Sequence, residues 1–98
     1  MNKKTIEYLA LVRQKTGFSD YKIAKEYDIN QSNLSKYSSG KAALSETHAW
    51  LFANILELDP SEVVANTKYE HAINTGNNLK AIFWQEQLNK IFSESESI

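Results

Sequence analysis

SDYKIAKEYDINQSNLSKYSSGK, residues 19–41, holds two short helical patterns with a polar break between them. Ser19 has the side-chain oxygen that an N-cap requires, and Ile23, Ala24 and Tyr27 follow at helical spacing on one face. Asp28, Ile29 and Asn30 interrupt this pattern: Ile29 can turn back toward the core, and Asn30 can cap the next segment. In the second pattern Leu34 and Tyr37 lie three apart and face inward, which leaves Gln31, Ser32, Asn33, Ser35 and Lys36 outside. That outer face carries amides, hydroxyls and an ammonium group, and no carboxylate. Amides and hydroxyls hydrogen-bond base edges and phosphates, and a lysine adds charge attraction. The stretch therefore predicts a helix-turn-helix whose second helix suits a major groove.

The flanks extend the helical pattern in both directions. Upstream, residues 5–16 form a first helix, with Ile6, Leu9, Ala10 and Arg13 on one side and Tyr8, Leu11 and Val12 broadening the stripe. Gly17 ends it, and Phe18 stands where it can staple onto Ile23 of the next turn. Downstream, Ser38, Ser39 and Gly40 form a loop in which Gly40 can adopt positive φ, and Lys41 follows in an exposed position. Ser45 and Glu46 open a fourth helix to about Leu56, with Leu51, Phe52, Ile55 and Leu56 as its apolar positions. Asp59, Pro60 and Glu62 are the start signal of a fifth, which carries Val63, Val64 and Thr67 and breaks at residues 75–78.

Residues 79–92 make a sixth helix with two apolar sides, Leu79, Ile82 and Phe83 on one and Trp84, Leu88, Ile91 and Phe92 nearly opposite. One small core cannot bury both, so one side is expected to pack on the domain and the other on a second subunit. Trp84, Leu88, Ile91 and Phe92 are the expected dimer interface, with Trp84 as its anchor. The closing SESESI, residues 93–98, is polar and acidic and is expected to fray.

Ninety-eight residues with 42% hydrophobic content suffice for one domain with a modest core. The chain has no cysteine, which excludes a disulfide framework and a thiolate metal site, and its apolar runs are too short to span a membrane. The opening MNKKTIEYLA has neither the apolar run nor the cleavage site of a signal peptide, so a cytoplasmic protein is expected. Net charge is −1, but it is unevenly spread: residues 1–50 carry eight basic against five acidic side chains, and residues 51–98 carry three against seven. The basic half contains the expected reading helix, as in a protein that offers one end to phosphates and the other to something else.

Taken together, Ala24 at a close helix crossing, Leu34 and Tyr37 inside the second helix, SSGK after it, and LFANILELDPSEV at residues 51–63 resemble the Cro and lambda-repressor-like, or XRE-type, regulators of phages and bacteria. The similarity runs from about Leu9 to Ala65. It implies an all-α bundle of about five helices in residues 1–65, binding a palindromic operator as a dimer, here with a C-terminal helical extension over residues 66–98 for dimerisation or a partner contact. By this resemblance Gln31, Ser32 and Lys36, with Asn33 beside them, read bases, while Arg13, Ser19, Ser35, Ser39 and Lys41 touch or support phosphates. Two positions depart from the family. Asp20 stands where a glutamine is common and is expected to repel the DNA backbone, and Asp28 replaces the usual turn glycine while tolerating left-handed geometry.

Other residues carry plainer readings. Tyr27 and Tyr37 have core spacing, Tyr21 stays open, and His48 and His71 lie on different helices without the neighbours a metal site requires. No nucleophile with its base, phosphate-cradling glycine loop or histidine cluster is present, so neither an enzyme nor a cofactor is expected. The competing expectation is a protein-interaction module on the same scaffold, such as an antirepressor or antitoxin whose acidic half meets a protein partner.

Overall fold

The computed structural model describes residues 1–96, with side chains to Ser93. Among these residues the chain is all-α, with six helices and no strand: α1 (Lys3–Thr16), α2 (Asp20–Glu26), α3 (Gln31–Ser39), α4 (Glu46–Leu56), α5 (Pro60–Asn74) and α6 (Asn78–Glu96). No helix among them is long and apolar enough to cross a membrane.

The helix ends form where the sequence chemistry puts them. Ser19, Asn30, Ser45 and Asp59 each accept a backbone N–H of the turn that follows, from Lys22, Ser32, His48 and Ser61 respectively. Gly17 and Gly40 close α1 and α3 in the left-handed conformation, at φ 70° and 75°. After α3 the Gly40 N–H reaches the Tyr37 carbonyl and the Lys41 N–H the Lys36 carbonyl, which satisfies two acceptors at the helix end. Glu57 closes α4 the same way at φ 58°, without a glycine's freedom.

Leu9, Val12, Ile23, Phe52 and Val63 are fully buried at the centre, where α1, α2, α4 and α5 converge. The buried side of α1 is Thr5, Tyr8, Leu9 and Val12, whereas Ala10 and Leu11 are exposed, so the helix is rotated from the expected side. The reason is polar. The Thr5 hydroxyl accepts the Leu44 N–H at 3.1 Å, and the Tyr8 hydroxyl accepts from the Asn66 amide at 3.1 Å, so both residues enter the core with their oxygens satisfied.

The start of α1 is held by other parts of the chain. Glu70 of α5 accepts the Lys4 N–H at 2.7 Å, a cap supplied from 66 residues away, since Asn2 makes no side-chain cap of its own. Asn2 instead donates both its backbone N–H and its side-chain amide to the Gly40 carbonyl, at 3.0 and 3.1 Å. A β-carbon at Gly40 would lie 2.6 Å from Met1 Cγ and 2.9 Å from Ile6 Cδ1, so this glycine serves both the turn and the close approach.

The expected boundary at residue 65 falls inside α5, whose buried residues run across it from Val63 to Ala72. The extension is thus continuous with the core through one helix, and α6 packs back on α5. Ala81 and Leu88 are buried there, and Trp84 packs against the core cluster. This reverses the expected use of the two sides of α6. Leu79, Ile82 and Phe83 face outward, while Trp84 and Leu88 belong to the domain, on the side where Ala81 is also buried. Ile91 is half-buried and Phe92 exposed. The helix also runs into the acidic tail as far as Glu96; Ser97 and Ile98 of that tail lie outside the described residues.

Candidate nucleic-acid interface

Four residues join α2 to α3. Asp28 takes φ 54°, and Ile29, buried, donates its N–H to the Ala24 carbonyl at 2.9 Å, so the connection is pinned to α2 from inside. Asn30 then accepts the Ser32 N–H at 2.8 Å and starts α3. With Leu34 and Tyr37 both buried, the rotation of α3 is fixed, and Gln31, Ser32, Asn33, Ser35 and Lys36 are all exposed. The five candidate side chains therefore share the open surface of one short, capped helix.

A surface groove runs beside this face, lined by Asp20 and Tyr21 of α2 and by Gln31, Leu34, Ser35, Ser38 and Ser39 of α3. At its end Arg13 makes a two-pronged bond to Asp20, Nε to one carboxylate oxygen at 2.6 Å and a terminal nitrogen to the other at 2.7 Å. The same terminal nitrogen donates to the Ser38 hydroxyl at 3.0 Å. Asp20 is held below the usual carboxylate range, chiefly by this hydrogen bond, and Arg13 is raised in turn. The carboxylate expected to repel phosphate is thus neutralised at short range, and the arginine expected to meet phosphate is engaged within the chain.

The remaining phosphate candidates differ in availability. Lys41 and Ser35 are exposed, Ser19 accepts its capping N–H, and the Ser39 hydroxyl donates to the Lys36 carbonyl at 3.2 Å. Lys41 lines a small surface depression with Ala42–Ser45, Lys68 and His71, which brings cations of both chain halves to one place. No spacing in the sequence announces that meeting.

Two further contacts were not legible. The Tyr37 hydroxyl lies 2.6 Å from His48 Nδ1 and accepts the Ser45 N–H at 3.2 Å, tying the last turn of α3 to the first turn of α4. Burial pushes the His48 pKa down, which favours the neutral imidazole, and the ring tautomer sets which of Nδ1 and the phenolic oxygen donates. Tyr21, by contrast, is 65% exposed at the mouth of the α2–α3 groove. Among the described residues no three histidine or carboxylate side chains are grouped as a metal site would need. No family model, curated protein or solved structure matches the chain.

Proposed function

We propose that this chain is a sequence-specific DNA-binding transcriptional regulator of the Cro and lambda-repressor-like type, a phage or prophage repressor acting as a dimer on a palindromic operator. The observation that carries the reading is the exposed face of α3, which offers amides, hydroxyls and an ammonium group without a carboxylate and is locked in rotation by Leu34 and Tyr37. In this reading α3 enters the major groove. Gln31, Ser32 and Asn33 at its capped start and Lys36 one turn later meet base edges, since amides pair with adenine and a lysine with guanine. Ser19, Ser35, Ser39 and Lys41 border that face and hold the DNA backbone. Arg13, bonded to Asp20, orients the start of α2 and is a reserve of positive charge.

Selection from a randomised duplex pool, followed by footprinting on the enriched site, tests the proposal. Enrichment of a palindrome with half-sites one helical turn apart, about 34 Å, is the expected result. A folded protein that enriches no sequence would sink it. The competing reading, a protein-interaction module such as an antirepressor or antitoxin, draws on the outward apolar side of α6. Under that reading the Gln31→Ala and Lys36→Ala variants keep full function.

A further inference from the structure

We propose that Lys68 of α5 holds a DNA phosphate together with Lys41, so that the C-terminal extension takes part in gripping the duplex. Lys68 lines the depression beyond the end of α3 with Lys41, residues 42–45 and His71, and no carboxylate shares that lining. Lys68 is half-buried, and neither it nor Lys41 has an ion pair among the described residues. Two ammonium groups brought to one depression repel each other, and burial weakens the solvent screening, so an anion lodged between them relieves the cost. Glu70, two residues on, is engaged elsewhere and accepts the Lys4 N–H at 2.7 Å. His71, three residues after Lys68, shares its side of the helix, and an imidazole has a ring N–H to donate in either protonation state.

Position makes the anion a phosphate of the duplex that α3 reads, and the contact therefore rests on the DNA reading above. Nine residues give α3 a length of about 13 Å, and the major groove is about 12 Å wide. A helix with Gln31 and Lys36 on base edges thus brings its C-terminal end to the rim of the groove, where a sugar-phosphate strand runs. Lys41 follows Gly40 at that end, and the depression sets Lys68 beside it from α5. A phosphodiester has two free oxygens, so two ammonium groups can share one phosphate.

Fluorescence anisotropy of the full chain on selected and random duplexes, over a series of salt concentrations, is the first test, with circular dichroism melts to verify folding. Lys68→Gln is expected to weaken both duplexes by the same factor, about eightfold at 0.1 M salt, and to flatten the slope of log K against log salt by about 0.9. Lys80→Gln on the exposed part of α6 is expected to change neither quantity. The second test uses the wild type alone: acetylation of its lysines with and without duplex, read by mass spectrometry. Lys41 and Lys68 are expected to be protected by DNA, and Lys80 and Lys90 to react as before. A wild type that binds no duplex removes the DNA reading and this contact with it. Specific binding with an unchanged slope in folded Lys68→Gln, or a Lys68 that DNA leaves as reactive as before, overturns the Lys68 contact alone; the second measurement decides even if Lys68→Gln cannot fold.

Discussion

Replacing Asp20 by asparagine separates the two roles its contacts give it. The carboxylate holds Arg13 through two short hydrogen bonds, with side chains 36% and 43% exposed, so solvent screens the pair and its loss should cost no more than about 1 kcal/mol of stability. The same change removes a negative charge from the α2–α3 groove and frees a guanidinium beside it. If Arg13 then takes one phosphate, the slope of log K against log salt steepens by about 0.9, which amounts to a gain of roughly eightfold at 0.1 M salt relative to 1 M. Fluorescence anisotropy on the selected duplex at four or more salt concentrations measures both quantities. Equal affinity and equal slope at low salt would refute the placement of the pair at the DNA face. A uniform loss of affinity at every salt, with a lower Tm, would instead make Arg13–Asp20 a brace between α1 and α2. The pH dependence has a definite sign. Asp20 is depressed in the fold, so its stabilisation is complete above the ordinary carboxylate pKa near 4 and fades as pH falls through the lower folded value. Wild type and Asp20→Asn should therefore converge in stability in acid and differ most at neutral pH.

In the same binding assay, Gln31→Ala should cost about 1–3 kcal/mol at one base pair per half-site and relax preference there, whereas Lys41→Ala should weaken all duplexes alike and flatten the salt slope. Tyr37→Phe leaves the Ser45 N–H and His48 Nδ1 without their partner, and urea titration should show a loss of about 1–3 kcal/mol. His48 itself is depressed by burial, so its contribution is present above pH 6.5 and declines as pH falls toward the folded pKa; substituting it should flatten the pH profile of Tm in that range. Glu57→Gly relieves the left-handed strain at the end of α4 and should raise stability by about 1 kcal/mol, more than the exposed contact with Lys15 is worth.

How legible these features were in the sequence follows from the range of the forces that set them. Caps, stops and turns depend on a few consecutive residues, and so Ser19, Asn30, Gly40, Ser45 and Asp59 act where their chemistry places them. The inward anchors of α3 were equally plain, since Leu34 and Tyr37 are the large apolar side chains of an otherwise polar segment. Which side of a helix is buried is a tertiary matter when the apolar stripe is broad. On α1 the choice fell to Thr5 and Tyr8 because Leu44 and Asn66 supply hydrogen bonds from elsewhere in the chain, an arrangement that hydrophobic periodicity does not register. On α6 both sides are apolar, and periodicity alone does not choose between them; the side that packs on α5 and the core carries Ala81, Trp84 and Leu88.

The site divides along the same line. The exposed polar face of α3 is a property of one helix and was legible from residues 31–36, but the electrostatics beside it depend on a partner seven residues upstream of Asp20, across the end of α1. Taken alone, Asp20 is a repulsive charge beside the expected phosphate path; bonded to Arg13, it is nearly neutral to a distant phosphate and becomes a restraint on a cation. The acidic half of the chain acquires a local meaning by the same route. Lys68 of α5 comes up beside Lys41, so two ammonium groups meet near the end of α3, while Glu70 on the same helix turns to cap α1. A net charge of −1 is therefore compatible with a phosphate-facing surface, because the fold sorts by face what the sequence interleaves by position.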